Sequence, residues 1–352
     1  MVTKYKIIHM SEISKIKKGE KVAILSPSFA APGKWPHVYE LGLERLRNIF
    51  GLEPVEYPTT KKIGASFAER SMDLIKAFED KDIKTVIASL GGDDQVIYIK
   101  NLPKNPFIDN PKPFFGYSDN THFMNFLWLC GVPSYYGGAV LTQFAMNGSM
   151  DKFTIRYLKY ALFESGEKEL VASDIFNDVG LDWSDKSLLD KKRMYEKNDG
   201  WFWDGDNDAR GISWGGCVES IDEILRHGIE MPTLEQFEQC ILFMETSEEI
   251  PSFDYVFRIY RALGERGILE RVKGILIGRP KAWEFNKQQS LEERKVYRAK
   301  QREITLDVIR QYNKTAPVIQ NMDFGHTDPQ ICLPYGKPVR INSSAKKIFA
   351  EF

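Results

Sequence analysis

The sequence has few of the residues that build metal centres and disulfide frameworks. Its 352 residues include only four cysteines and five histidines. No two cysteines are close enough for a CxxC redox pair or a zinc knuckle. Scattered cysteines in a chain of this length are typical of free thiols in a reducing compartment. We therefore expect no metal.

Long apolar runs and an excess of one charge are also missing. No segment approaches the roughly 20 apolar residues that a membrane span needs. Residues 1–20 are rich in lysine and lack the apolar core of a secretory signal. The formal net charge of −1 provides no field that would attract nucleic acid or an anionic membrane. These features predict a cytoplasmic protein without a membrane or nucleic-acid polymer as partner, so we look for chemistry in a pocket.

The first half of the chain alternates short apolar runs with helical patterns. Each apolar run ends in a turn signal, and each following segment has apolar residues at helical spacing. Strands that alternate with helices predict an α/β domain with a largely parallel sheet. The predicted strands are 21–28, 54–57, 85–90 and 113–116, and the predicted helices are 36–50, 67–80 and 120–130.

The second half begins with a polar segment and returns to alternating elements. Residues 174–210 carry Trp183, Trp201 and Trp203 among charged residues and glycine, which predicts a long loop with a functional role. Residues 211–225 are interpreted as a glycine-rich turn that leads into a short helix. We predict an N-terminal α/β domain over 1–172, a linker or substrate loop over 173–210, and a C-terminal domain over 211–352.

The sharpest local feature is a serine between a strand and a helix. Ser118 follows the apolar strand Phe114–Gly116, and a helix begins at once. A tight turn of this kind exposes a nucleophilic hydroxyl, and the N–H of Asp119 can then face a developing oxyanion. The usual motif has glycine two residues after the serine, where this chain has Asn120. A helix N-cap formed by Ser118 or Asp119 is the competing interpretation.

A second turn contains two glycines at the end of a predicted strand. Gly91 and Gly92 would let the backbone approach a substrate closely. The N–H of Gly92 or of Asp93 is a candidate second oxyanion donor. The alternative is an ordinary strand-to-helix turn capped by Asp93 or Asp94. A phosphate loop is disfavoured because the GK[ST] ending is absent.

A serine nucleophile needs a base and a carboxylate that orients it. Among the histidines, His122 lies one helical turn after Ser118, and His326 lies in a turn after an apolar strand, where scaffolds present functional groups. Glu245 follows four apolar residues, so its carboxylate is expected to be buried and paired. Glu248 and Glu249 follow closely, and spacing alone leaves the choice among the three open.

The ordered set of these motifs resembles the LD-carboxypeptidase family of serine peptidases. The resemblance covers nearly the whole chain and ends with Gly325-His326 and Leu333-Pro334-Tyr335-Gly336. It implies a Rossmann-like parallel α/β domain followed by a smaller, sheet-rich domain. It also implies a triad split between them, with Ser118 as nucleophile, His326 as base and Glu245 as the orienting group. A homodimer without an organic cofactor is implied as well.

Two branches of this family differ in substrate. One removes a terminal D-alanine from murein tetrapeptides, and the microcin-immunity branch cleaves an amide that joins an amino acid or peptide to a modified nucleotide. Asp93 and Asp94 in the second turn, the tryptophan-bearing segment and Glu245 to Glu249 look closer to the immunity branch. A small-molecule or short-peptide conjugate is therefore the expected substrate.

Trp183 and Asp94 are the candidate substrate contacts. An aromatic side chain on a loop can stack on a nucleobase, a contact worth about 1 to 3 kcal/mol. In the competing interpretation, Trp183, Trp201 and Trp203 pack the loop onto the domain interface. Two further alternatives for the whole chain are a catalytically inactive binding protein on the same scaffold and a nucleotide-binding protein that uses Gly91-Gly92 as a phosphate turn.

Overall fold

The computed structural model describes residues 9–352, so residues 1–8 of the lysine-rich segment lie outside it. Within these residues, none of the helices is long and apolar enough to cross a membrane. The strands are β1 (Lys21–Leu25), β2 (Glu53–Glu56), β3 (Ile83–Ala88), β4 (Phe114–Gly116), β5 (Ser134–Tyr136), β6 (Glu167–Leu170), β7 (Ile175–Phe176), β8 (Glu196–Lys197), β9 (Phe202–Asp204), β10 (Ala209–Cys217), β11 (Cys240–Glu245), β12 (Gly274–Gly278), β13 (Val318–Met322), β14 (Leu333–Tyr335), β15 (Pro338–Asn342) and β16 (Lys347–Glu351). The helices are α1 (Ala31–Lys34), α2 (Pro36–Asn48), α3 (Phe67–Glu79), α4 (Asn105–Asp109), α5 (Thr121–Leu129), α6 (Lys152–Phe163), α7 (Val218–Arg226), α8 (Leu234–Phe237), α9 (Phe253–Glu265) and α10 (Leu291–Tyr312).

The N-terminal sheet is parallel except at one edge. Its strand order is β14-β5-β4-β3-β1-β2, and β14 joins β5 in the antiparallel sense. In the centre, Ala23 of β1 lies opposite Val86 of β3. Val22–Leu25 of β1 and Thr85–Ala88 of β3 are buried, and all of these residues except Thr85 are apolar, as a sheet covered on both faces requires. The predicted α/β architecture of this half is confirmed.

The second sheet has eight strands in the order β6-β16-β15-β10-β11-β12-β13-β9. Its centre, β10 to β13, is parallel, and antiparallel strands flank it on both sides. The parallel N-terminal sheet and the separate sheet-rich C-terminal region match the predicted fold class.

The prediction of a glycine-rich turn over 211–225 was wrong in its first half. Residues Ala209–Cys217 form the central strand β10, and only Val218–Arg226 is helical. A Cβ atom on Gly215 would lie 1.7 Å from the Phe243 carbonyl oxygen, and one on Gly216 would lie 2.3 Å from the Thr121 side chain. Glycine is therefore needed at these positions because other parts of the chain pass very close to the strand. In the sequence alone, the same glycines resemble a turn.

The predicted loop region contains short strands and is tied to the second sheet. Strand β9 pairs with β13, and β7 pairs with β8. The Asp178 carboxylate, which is buried, accepts hydrogen bonds from Arg294 and Arg298 of α10. The domain boundaries 1–172, 173–210 and 211–352 stay a prediction. Strand β6, which lies before residue 172, joins the second sheet, and strand β14, which lies after residue 211, joins the first.

Helix α5 connects the two layers. All of its residues through Trp128 are buried, and it contacts both β10 and α7. The Trp214 indole of β10 donates a hydrogen bond to the Asn125 side chain (3.1 Å). Because α5 begins directly after Ser118, this packing fixes the position of the candidate nucleophile relative to the second sheet.

Candidate active site

Ser118 has the backbone geometry of a nucleophile elbow. Its φ is +63°, a left-handed conformation that residues other than glycine rarely adopt. A short 3₁₀ turn over Ser118–Asn120 leads into α5, and neither this turn nor α5 has a side-chain cap hydrogen bond. The Asp119 carboxylate instead accepts a hydrogen bond from the backbone N–H of Gln95 (3.2 Å). Neither Ser118 nor Asp119 is therefore an N-cap.

The second turn lies directly beside this serine. A Cβ atom on Gly91 would lie 2.9 Å from Ser118 Cβ and 3.5 Å from the backbone nitrogen of Asp119. The Gly91 carbonyl accepts a hydrogen bond from Phe29 N–H (3.2 Å). Because a trans peptide holds its C=O and N–H on opposite sides, the Gly92 N–H points away from Phe29. Gly92 and Asp93 are exposed.

Asn120 joins the two turns. Its side-chain amide donates hydrogen bonds to the carbonyls of Leu90 (3.2 Å) and Tyr117 (2.9 Å). Its side-chain oxygen accepts a hydrogen bond from Gln95 (2.9 Å). The residue that departs from the usual elbow motif therefore has a structural role, which is to hold the Gly91 turn against Ser118.

His326 and Glu245 form a hydrogen-bonded pair supplied by the second sheet. His326 Nδ1 donates to Glu245 Oε2 at 2.7 Å, and the Glu245 residue is only 1% exposed. A Cβ atom on Gly325 would lie 2.4 Å from the same carboxylate oxygen. Glycine before the histidine therefore lets the chain pass close to the buried carboxylate.

Tyr136 connects this pair to the elbow, and the sequence interpretation missed it. Its hydroxyl accepts a hydrogen bond from Ser118 N–H (3.3 Å) and donates one to Glu245 Oε1 (2.5 Å). Burial and the charge of Glu245 raise the pKa of Tyr136 well above its usual value, so the phenol stays a neutral donor. The available sequence signal was its place before Gly137-Gly138, but no strand was predicted there.

Glu248 contacts the other nitrogen of the imidazole. Its Oε2 lies 3.1 Å from His326 Nε2. Burial alone lowers the pKa of His326, but the charges and hydrogen bonds of Glu245 and Glu248 outweigh it and raise that pKa to about 10. Burial likewise opposes ionisation of Glu248, yet its contact with His326 lowers the pKa of Glu248 to about 2. In this arrangement the imidazole is charged. No hydrogen bond joins it to Ser118 Oγ within the part of the chain that the structure describes.

Two side-chain groups among residues 9–352 have the spacing of metal ligands. Cys217, Glu245 and His326 form one group, and Asp119, His122 and Glu223 form the other. In the second group, His122 Nε2 lies 2.9 Å from Glu223 and 3.5 Å from Asp119. In the first, the Cys217 thiol donates to Glu219 (3.0 Å), and burial raises the pKa of that thiol well above its usual value. The expectation that the enzyme uses no metal remains a prediction.

The two predicted substrate contacts lie near the Gly91 turn. The Trp183 ring packs edge-on against Trp35 (5.1 Å between centroids), and Trp35 packs against Phe29 (6.1 Å), whose backbone holds the Gly91 carbonyl. Asp94 forms a bidentate ion pair with the buried Arg70 (2.7 and 2.8 Å). The Asp94 carboxylate is therefore engaged with the protein, and contact of either side chain with substrate stays a prediction.

The other two tryptophans of the polar segment have structural positions. The Trp201 indole donates a hydrogen bond to the buried Asp323 (2.9 Å). Trp203 lies in β9 opposite Ile319 of β13. Packing thus accounts for these two residues, whereas Trp183 is connected to the Gly91 turn through Trp35 and Phe29.

Comparison with known families assigns both halves of the chain. Residues 22–137 match the LD-carboxypeptidase N-terminal domain, and residues 210–341 match the LD-carboxypeptidase C-terminal domain. Together with the two-sheet fold, these matches define a serine peptidase-like enzyme. The chain belongs to the LD-carboxypeptidase family.

Individual relatives match over most of the chain. A protein of Treponema pallidum that is named as a carboxypeptidase is 28% identical over 342 residues, covering 96% of this chain and 94% of that protein. The microcin C7 self-immunity protein MccF of Escherichia coli is 25% identical over 284 residues, covering 80% of this chain and 77% of MccF. A solved structure of MccF in complex with glutamyl sulfamoyl guanosine superposes with a TM-score of 0.83 at 22% identity, covering 97% of this chain and 98% of that one. This last likeness establishes the fold.

Proposed function

We propose that this enzyme cleaves an amide bond in an aminoacyl- or peptidyl-nucleotide conjugate, with Ser118 as nucleophile. His326 would be the base, and Glu245 would orient it. The supporting observation is a continuous chain of hydrogen bonds that runs from Ser118 N–H through Tyr136 to Glu245 and on to His326. This network joins the backbone of the proposed nucleophile to the proposed orienting carboxylate and base, which supports a shared site; acyl transfer also requires contact between Ser118 Oγ and His326 Nε2.

In the first step, Ser118 Oγ attacks the amide carbonyl and His326 Nε2 accepts the hydroxyl proton. The carbonyl oxygen becomes an oxyanion, which backbone N–H groups of Asp119 and of Gly92 or Asp93 would stabilise. The C–N bond then breaks, and His326 returns the proton to the leaving nitrogen. Water, activated by His326, hydrolyses the acyl-enzyme and restores Ser118.

The nucleotide part of the substrate is proposed to contact Trp183. This side chain belongs to the aromatic group that borders the Gly91 turn. A solved relative, MccF, is in complex with glutamyl sulfamoyl guanosine, an aminoacyl nucleotide analogue. Stacking of a base on an indole is worth about 1 to 3 kcal/mol, enough to select a nucleotide conjugate over a plain peptide.

Two specific observations favour other functions. The relative from Treponema pallidum is named as a carboxypeptidase, which favours removal of terminal D-alanine from a murein tetrapeptide. The contact between Glu248 and His326 Nε2 occupies the atom that a base must free, which favours an inactive binding protein on the same scaffold. Each of these alternatives predicts a different result in one assay.

The test is a side-by-side turnover assay with an aminoacyl sulfamoyl adenosine and a murein tetrapeptide ending in D-alanine. We expect cleavage of the nucleotide conjugate alone, and its loss in Ser118→Ala. Ser71→Ala is the matched control, because Ser71 is a half-buried helix serine of α3 whose hydroxyl donates to the Phe67 carbonyl. Cleavage of the tetrapeptide alone would establish the murein activity, and turnover of neither substrate would favour the binding protein.

The family resemblance also suggests a homodimer, and the four buried thiols suit a reducing cytoplasm. We propose both as properties of the active enzyme, together with the absence of a metal or organic cofactor. Analytical ultracentrifugation at assay concentration tests the first, and undiminished turnover after chelation tests the last.

A further inference from the structure

A second group of carboxylates around a histidine lies beside the elbow, and the proposed reaction uses none of its side chains. This Asp119 cluster consists of Asp119 in the turn after Ser118, His122 in the first turn of α5, and Glu223 of α7. His122 Nε2 lies 2.9 Å from Glu223 Oε2 and 3.5 Å from Asp119 Oδ1. The three side chains therefore converge on one point between α5 and α7.

Hydrogen bonding alone does not satisfy the Asp119 cluster. The His122 Nε2 atom carries at most one proton, and the shorter distance assigns that proton to Glu223. Asp119 Oδ1, which is the oxygen that faces His122, has no hydrogen-bond partner among residues 9–352, although Asp119 is only 2% exposed. A buried carboxylate oxygen without a partner is costly, and burial accordingly raises the pKa of Asp119 above its usual value. A cation at this point would remove the cost.

The spacing of the three ligand atoms matches a tetrahedral zinc ion. Zinc binds imidazole nitrogen and carboxylate oxygen at about 2.0 to 2.2 Å, so two of its ligands lie about 3.4 Å apart. The observed separations are 2.9 and 3.5 Å, and all three atoms lie within 4.8 Å of one another. The side chain of Glu223 is 30% exposed, whereas those of His122 and Asp119 are 1% and 2% exposed. The cluster thus has one side through which an ion can enter and on which water can complete the coordination.

The other group with metal-ligand spacing, formed by Cys217, Glu245 and His326, is less suited to an ion. Glu245 and His326 are already bonded to each other, and the Cys217 thiol donates to Glu219. A thiol must lose its proton to bind zinc, and burial together with the charge of Glu219 raises the pKa of Cys217 well above its usual value. An ion is therefore expected at the Asp119 cluster and not at the candidate base.

We propose that Asp119, His122 and Glu223 bind one Zn²⁺ ion, which links α5 to α7 beside the elbow. A neutral imidazole and two carboxylates carry a charge of −2, which the ion neutralises, and an imidazole ligand favours zinc over magnesium or calcium. Asp119 gives its carboxylate to the ion and keeps its backbone N–H for the proposed oxyanion site. The ion has a structural role and takes part in no step of amide cleavage, so this inference is independent of the proposed function.

The test is a calorimetric titration of the chelator-treated full chain with zinc chloride. We expect one ion per chain. Asp119→Asn and Glu223→Gln should each weaken zinc binding by at least about tenfold, because losing a ligand costs no less than losing a hydrogen bond to a ligand. Cys217→Ala is the matched control, since it removes a ligand of the competing group, and it should bind zinc like wild type. Zinc should raise the Tm of wild type and of Cys217→Ala, and much less that of Glu223→Gln.

Absence of zinc binding to wild type, or wild-type affinity in Glu223→Gln, would overturn the inference. Loss of binding in Cys217→Ala would also overturn it, because the ion would then lie at the candidate base. Glu223 is partly exposed, so Glu223→Gln should fold and keep the test decisive even if the buried Asp119→Asn does not fold. An anomalous difference map from a zinc-soaked crystal should show its peak between the three side chains, and a peak elsewhere would contradict the assignment.

Discussion

Replacing Tyr136 by phenylalanine removes the hydroxyl that joins the Ser118 elbow to the Glu245–His326 pair. The ring itself should keep its place, since it packs edge-on against Phe243 (5.2 Å between centroids). The change deletes one donor to the buried Glu245 and the acceptor for Ser118 N–H. It therefore tests the network without changing a proposed catalytic residue.

The magnitude follows from the type of bond that is lost. A hydrogen bond to a charged group is worth about 1.5 to 3 kcal/mol, and Glu245 cannot replace the missing donor with bulk water because it is buried. The free energy of unfolding should fall by that amount. If the same interaction is needed when His326 becomes charged in the transition state, kcat/KM should fall by about 10- to 150-fold. Urea unfolding and steady-state turnover of an aminoacyl sulfamoyl adenosine measure the two effects.

Tyr135→Phe is the matched control. Tyr135 is the adjacent buried tyrosine, and its hydroxyl accepts a hydrogen bond from Lys15 (2.6 Å) away from the site. This variant should lose stability without losing kcat/KM. Wild-type kcat/KM in Tyr136→Phe, or an equal loss in both variants, would refute the role given to the hydrogen-bond network.

Three further changes test the acid–base behaviour of His326, the role of Trp183 and the Gly91 turn. Because the pKa of His326 is raised to about 10, kcat/KM should increase with pH towards that value, and Glu248→Gln should move the inflection to lower pH. The raised pKa of His326 stabilises the fold fully at pH values below its ordinary pKa of 6.5, and this stabilisation is lost as pH rises through about 10. The lowered pKa of Glu248 stabilises the fold fully at pH values above its ordinary pKa of 4.5. The Tm difference between wild type and Glu248→Gln should therefore be largest between pH 4.5 and 6.5, and a pH-independent difference would contradict this. Trp183→Ala should weaken AMP binding by about 5- to 150-fold, the equivalent of one stacking contact, and unchanged affinity would reduce Trp183 to packing. Gly91→Ala should slow fluorophosphonate labelling strongly, because its Cβ would lie 2.9 Å from Ser118 Cβ, whereas Gly180→Ala, with 3.4 Å to a flexible phenylalanine ring, should not.

The sequence predicts the strands and helices that position the site because their patterns are strong. The apolar strand Phe114–Gly116 and the helix that follows Ser118 were both predicted, and both are present. The nine-residue strand β10 was mistaken for a turn, since its glycines serve close packing and provide no strand signal. Strands β5, β6 and β16 were not predicted, because they depend on pairing with distant segments.

The candidate site was predictable where a residue follows a strand end and unpredictable where it depends on tertiary contacts. Ser118, Glu245 and the Gly91 turn each follow an apolar run, so their positions could be inferred from the sequence. Tyr136 became visible only through its two hydrogen bonds. The spacing of Glu245 and Glu248 also could not show that the two carboxylates contact opposite nitrogens of one imidazole.

The proposed function depends on Ser118 as a nucleophile that His326 activates. Its most direct test is fluorophosphonate labelling followed by peptide mass spectrometry. We expect one covalent adduct, located on Ser118, that forms much more slowly in His326→Ala and is absent in Ser118→Ala. An adduct on another residue, or undiminished cleavage of the nucleotide conjugate by Ser118→Ala, would contradict it.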